Sequence, residues 1–242
     1  MSFMNVMKSI QADALANGGS YIHYSQCIEP TATLINMLPY TANGICQALS
    51  AKWIAQHANG SSLWDWLCTP GTTNVKQSAI ANLMINFTES VQRTGKLSNP
   101  TTRNQDTKGQ FYQDFVTDKY LKLYSGLVRR SIVQEGVIGS IRNQLTVGGG
   151  VNAGRRLARR LNESRLVSKG SGSYVLISIM GNGGHAMAAF VGEDIAFFDP
   201  NFGEFWFPSH KQFYAFFLKF WHRSGYYKNF PNYYLMPYAK AV

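Results

Sequence analysis

The stretch 174–203, YVLISIMGNGGHAMAAFVGEDIAFFDPNFG, decides the architecture of this chain. Two turn signals, Gly181-Asn182-Gly183-Gly184 and Gly192-Glu193-Asp194, cut it into strands over Tyr174–Met180, His185–Val191 and Ile195–Asp199. A fourth strand is predicted over Phe205-Trp206-Phe207. Connections this short join antiparallel neighbours, because a parallel crossover needs a dozen residues or more. If residues 192–194 form a three-residue hairpin loop, Val191 faces Ile195, Met187 faces Asp199 and His185 faces Asn201. Side chains alternate along a strand, so His185 and Asp199 share one face as diagonal neighbours, roughly 7–8 Å apart at the backbone. An imidazole and a carboxylate can close that gap to a hydrogen bond. Asn201 lies directly opposite the histidine in this register and is the alternative orienting residue. A register slip of one residue would put both off the histidine's face.

Upstream of this stretch the apolar spacing is helical. Met4, Met7, Ile10 and Ala14 mark a first helix. Ile45, Leu49 and Trp53 mark a second over about 44–57, and Ile80, Leu83, Met84, Phe87 and Val91 a third over 74–94. Further helices are predicted over 111–125, 151–163 and 210–221. Helices first and an antiparallel sheet afterwards argue an α+β fold in a single domain covering 1–242. Residues 1–40 read as an N-terminal extension. The polar, turn-rich segment 95–110, GKLSNPTTRNQDTKGQ, reads as a flexible loop.

A helix start is where a thiol is most useful. Asn43 is a competent N-cap, which would set Cys46 in the first turn of the second helix. Unpaired amides and the positive end of the helix dipole favour a thiolate there, and the thiolate is the nucleophilic form. A cysteine is otherwise a small buried hydrophobe, and Cys27 and Cys68, which open no helix, take that reading. His23, His57, His210 and His222 likewise read as structural. His185 is set apart by the glycines before it, which leave room for close approach, and by its partner strand. Cys46, His185 and Asp199, in that chain order, have the layout of a papain-like cysteine hydrolase. Cys46 would attack a carbonyl or carboxamide carbon. His185 would hold the thiolate and protonate the leaving nitrogen, and Asp199 would fix the imidazole tautomer. The Cys46 amide and the Asn43 side chain are the candidate oxyanion donors.

Composition narrows the setting. The 242 residues are 45% hydrophobic and 14% aromatic, enough for one well-cored domain. No apolar run approaches the roughly 18–20 residues of a membrane span, and the first ten residues lack the pattern of a secretory signal. Three cysteines cannot all pair, and no Cys-x-x-Cys spacing points to zinc, so a reducing compartment with no metal or cofactor is expected. The net charge of +10 is concentrated between Arg142 and Lys169, where seven basic residues face one acid, Glu163. Arg155, Arg156, Arg159 and Arg160 fall at like-charge i,i+4 spacing, which destabilises a helix by a few tenths of a kcal/mol per pair. The bland reading is a solvated face. The functional one is docking on an anionic membrane surface. No nucleic-acid motif accompanies the charge, and no nucleic-acid partner is expected.

At Gly44-Ile45-Cys46 with Trp53 downstream, Gly184-His185-Ala186, and Phe197-Phe198-Asp199-Pro200-Asn201-Phe202-Gly203, the chain resembles the YopT/AvrPphB family of bacterial effector cysteine peptidases. The resemblance implies a papain-like fold, the Cys46–His185–Asp199 triad, and secretion with delivery into the host cytosol. It also implies a host protein substrate such as a lipidated, membrane-anchored small GTPase or a kinase. Similar folds with the same triad are glutamine deamidases in other toxins, and the matched residues do not separate the two. No Gly-initiated acylation sequence is evident, so the chain reads as a piece of a larger toxin or as a small complete effector. Three functions fit these residues: a cysteine endopeptidase, a glutamine deamidase, and a non-catalytic binding module that uses the basic surface.

Overall fold

The computed structural model describes residues 2–37, 45–97, 105–130, 145–146, 151–164, 172–181 and 183–241. In chain order the elements are α1 (Phe3–Ala16), β1 (Ser20–Ile22), α2 (Thr31–Met37), α3 (Cys46–Ala58), α4 (Leu63–Leu67), α5 (Gln77–Leu97) and α6 (Gln105–Ser125). They continue with β2 (Leu127–Arg129), β3 (Leu145–Thr146), α7 (Val151–Ser164), β4 (Ser173–Gly181), β5 (Gly183–Val191) and β6 (Ile195–Asp199). The last are β7 (Gly203–Phe207), α8 (His210–Arg223), α9 (Tyr226–Asn229) and β8 (Asn232–Lys240). Contacts divide the chain into two compact units. One comprises Met1–Tyr24 with Arg129–Ala239, the other Ser25–Val128 with Lys240–Val242.

The first unit holds an antiparallel sheet ordered β1-β7-β6-β5-β4-β8, with β3 paired to β8. Val191 faces Ile195 across residues 192–194, and the β5–β6 ladder continues to Ala188 opposite Phe198. That is the register the three-residue loop dictates. Alternate positions on one face, Val175, Ile177 and Ile179, Met187, Ala189 and Val191, Ile195 and Phe197, Phe205 and Phe207, all enter one core. α8 covers this face with Phe213, Phe216, Phe217, Phe220 and Trp221, an i, i+3, i+4, i+7, i+8 stripe in which every member is buried. Its start is capped by the Ser209 hydroxyl, which accepts from the Gln212 N–H. α7 packs against α8 at Gly154, where any Cβ would run into the Trp221 ring.

Residues expected as an N-terminal extension are in part integral to this unit. Met7, Ile10 and Ala14 of α1 join its core, and Asp13 pairs with Lys219 and Arg223 on α8. β1 pairs with β7 in the register Tyr21 opposite Phe205. β8 was hidden in the sequence by Pro237, a residue that argues against an interior strand. Here Pro237 faces Val175 on β4, and its carbonyl accepts from the Arg130 N–H at 2.8 Å.

In the second unit α3 is buried on almost every side, through Ala48, Leu49, Ser50, Ala51, Trp53, Ile54 and Ala55. Its polar Gln47 is matched by α6: the Gln47 amide donates to Asp114 (3.2 Å) and Thr117 (3.1 Å), and Gln110 donates to both Gln47 and Asp114. Both ends of the segment expected as a loop over 95–110 are helical, since α5 runs to Leu97 and α6 starts at Gln105. Residues 98–104 between them lie outside the described residues.

Candidate active site

The sheet face that carries the core changes character at one end. Along β5 the inward positions run Val191, Ala189, Met187 and then His185. Along β6 they run Ile195, Phe197 and then Asp199. Parity alone therefore brings the two polar residues to one place. His185 is 7% exposed and Asp199 fully buried. His185 Nε2 lies 2.9 Å from Asp199 Oδ1. A carboxylate oxygen can only accept, so the shared proton rides on Nε2, and in the neutral ring Nδ1 carries the lone pair.

A tight turn after β6 completes the carboxylate's setting. Asp199 pairs with Gly203 across Pro200-Asn201-Phe202, and the Phe202 N–H donates to the Asp199 carbonyl at 3.0 Å. Gly203 adopts φ +102°, and a Cβ there would collide with the backbone of β1, so glycine is required on both counts. The Asn201 N–H donates to Asp199 Oδ1 at 2.7 Å. Asn201's side chain turns to Tyr226, its Nδ2 donating to the phenol oxygen at 3.0 Å. Asp199 thus bonds His185 directly, while Asn201 bonds the carboxylate and Tyr226. Tyr226 itself, absent from the sequence reading, donates its hydroxyl proton to Asp199 Oδ2 at 3.0 Å.

Cys46 belongs to the second unit, where it is the first residue of α3 and 8% exposed. The cap position is Ile45 and not Asn43, and Ile45 has no side chain able to bond the first-turn amides. That corrects the expected cap by two positions. Cys46 nevertheless stands in the first turn of the helix, where it was expected. Asn43 lies outside the described residues.

The other imidazoles have local partners, and the other thiols lie away from any helix start. Cys27 is exposed, which corrects its reading as a buried hydrophobe, while Cys68 is buried as expected, and burial pushes the Cys68 thiol up against a smaller opposing pull from Lys76. His23 bonds Tyr21 (3.1 Å), His57 packs on Trp53, and His222 stacks on Tyr227. His210 ties the 192–194 turn to α7, with ring nitrogens 2.7 Å from the Gly192 carbonyl and 3.0 Å from Asn162 Oδ1. Among the described residues no cluster of His, Cys, Asp and Glu is arranged to hold a metal ion, and no helix is long and apolar enough to cross a membrane.

The four arginines of α7 do not form a uniform face. Arg155, Arg156 and Arg159 are exposed and Arg160 half-buried. Glu163 pairs with Arg159 (3.3 Å) and Arg160 (2.8 Å), which relieves part of the like-charge repulsion read from the spacing. Arg156 and Arg160 also act on the Tyr233 phenol of β8, which burial raises and these two cations lower.

Residues 15–233 match the Peptidase C58 family, described as Yersinia/Haemophilus virulence surface antigen, and the chain belongs to that family of cysteine peptidases. It is similar to the cysteine protease yopT1 of Yersinia enterocolitica serotype O:8, with 30% identity over 220 residues, 88% of this chain and 62% of that protein. It is likewise similar to the cysteine protease YopT of Yersinia pseudotuberculosis, with 31% identity over 221 residues and the same coverage. The chain thus spans less than two thirds of the length of these relatives. Among solved structures, the Pseudomonas avirulence protein AvrPphB superimposes with a TM-score of 0.52 at 18% identity, covering 84% of this chain and 95% of that one. The likeness is one of fold, and it agrees with the α+β, papain-like class expected from the sequence.

Proposed function

We propose that this chain is an effector cysteine endopeptidase that cleaves a specific host protein through Cys46, His185 and Asp199. The observation that carries the reading is the buried 2.9 Å bond between His185 Nε2 and Asp199 Oδ1, which leaves Nδ1 as the basic nitrogen. In the reaction Nδ1 takes the Cys46 proton and holds the thiolate as an ion pair. Sulfur attacks the scissile carbonyl carbon, and the oxyanion that forms is met by the Cys46 N–H at the start of α3, with the Asn43 amide as the proposed second donor. Collapse of the tetrahedral intermediate breaks the C–N bond, Nδ1–H protonates the departing amine, and an acyl-thioester remains. Water then attacks the thioester, giving its proton to Nδ1, and the thiol is regenerated with release of the new carboxyl terminus. Asp199 keeps Nε2 protonated throughout and stabilises each imidazolium.

The exposed Arg155, Arg156 and Arg159 support a further part of the reading, that the enzyme rests on an anionic membrane face in the host cytosol where a lipidated substrate is anchored. A small GTPase of that kind, or a kinase, is the substrate class to test first. Intact-mass analysis of purified lipidated GTPases and kinases after exposure to the chain and to Cys46→Ala decides between the chemistries. A thiol-dependent truncation supports the peptidase. A gain of about one mass unit on an uncut protein would replace it with a glutamine deamidase, since both reactions share the thioester route.

A further inference from the structure

Asp199 has no exposed surface, so its oxygens must be met by protein donors. Two reach Oδ1, the His185 ring and the Asn201 N–H. The donor to Oδ2 is the Tyr226 hydroxyl. A carboxylate plane turns easily about its terminal torsion, so donors on one oxygen alone would let it swing away from the imidazole. A donor on the second oxygen fixes the plane. Tyr226 is suited to this because it is itself held. Gly225, at φ +76°, reverses the chain after α8 and lets the first residue of α9 turn back toward β6. The ring is packed among Phe202, Phe220, Trp221 and Phe230. Asn201 Nδ2 donates to its oxygen, which polarises the O–H toward Asp199. Asn201 therefore grips both carboxylate oxygens, one directly and one through Tyr226.

We propose that Tyr226 is a positioning residue of this site: with Asn201 it locks the Asp199 carboxylate and thereby sets the orientation and basicity of His185. The proposal rests on the reading of Asp199 as the residue that orients His185. Among the described residues of this unit, the Asp199 carboxylate from β6 and the Tyr226 phenol from α9 meet the imidazole, the phenol ring centroid 5.3 Å from that of the imidazole. The phenol proton matters most when the ring is neutral, because the buried carboxylate charge is then least compensated. Removing it makes the charged imidazolium relatively more favourable.

The test is the pH dependence of Cys46 alkylation by iodoacetamide, read on the Cys46 peptide by mass spectrometry, alongside the NMR titration of His185 assigned with His185→Ala. Tyr226→Phe keeps the ring packing and removes one proton donor. It is expected to move the His185 titration upward by about one unit, a tenfold change in proton affinity, and to carry the alkaline limb of the alkylation profile with it. Asn201→Ala should move both in the same direction by less, and it serves if Tyr226→Phe fails to fold. Asp199→Asn should move them the opposite way. A Tyr226→Phe profile that superimposes on the wild type or shifts downward, while His185→Ala still reduces the profile to the single ionisation of a lone thiol, would overturn the clamp and leave the triad standing. Alkylation indifferent to His185→Ala would instead overturn the triad reading beneath it.

Discussion

A carboxylate with no exposed surface is stable at Asp199 because donors reach both of its oxygens, and the same donors make it useful to His185. The contrast with Cys68 shows what burial does without such support. Its thiol sits behind α4 with burial raising it and Lys76 only partly opposing, so less of it is thiolate at a given pH. At pH 8, iodoacetamide should therefore label Cys68 more slowly than the exposed Cys27, and Lys76→Gln should slow it further. Peptide-resolved labelling checks this, and equal rates would contradict it. His185 and Asp199 were legible in the sequence because a period of two and one short loop determine which side chains share a face. Tyr226 was not legible. It comes from a four-residue helix 27 positions after Asp199 in sequence, and no local pattern links the two. The helix cap was misread for a related reason: Asn43 has the right chemistry, but the helix begins two residues later than that cap requires.

At the scale of elements, α8 holds the sheet that presents the site. Phe216 is fully buried against Phe205 and Phe207, with ring centroids 4.9 and 4.8 Å away. Phe216→Ala should lower unfolding stability by about 3–5 kcal/mol, measured by denaturant titration; a loss below about 1 kcal/mol would mean that the aromatic stripe is not what secures the sheet. The strands of the hairpin were readable because each is bounded by glycine turns. β8 was not, because Pro237 breaks its pattern while its carbonyl still accepts a bond. α7 is an element whose use goes beyond packing in our proposal. Replacing Arg155, Arg156, Arg159 and Arg160 with glutamine should sharply reduce sedimentation with phosphatidylserine vesicles, each basic residue contributing about 1 kcal/mol. Glu163 already pairs with two of them, so Arg155 and Arg156 should account for most of the loss. Undiminished sedimentation of the fourfold variant would remove the membrane role.

For the whole molecule, a net charge of +10 and a fold shared with AvrPphB place constraints that no single residue does. In the proposed reading, charge of this sign favours anionic surfaces, and the protein substrate is to be sought there. Membership of the Peptidase C58 family supports a cysteine peptidase, and the buried His185–Asp199 pair is the geometry on which the proposed triad is argued. The most direct measurement of that activity labels new N-termini in host-cell lysate, including its membranes, after exposure to this chain or to Cys46→Ala. We expect a small set of new termini, from one or a few proteins, that appears only with the intact thiol and is lost equally in His185→Ala. No thiol-dependent terminus anywhere in the lysate, or a set that survives Cys46→Ala, would contradict a cysteine peptidase built on Cys46, His185 and Asp199.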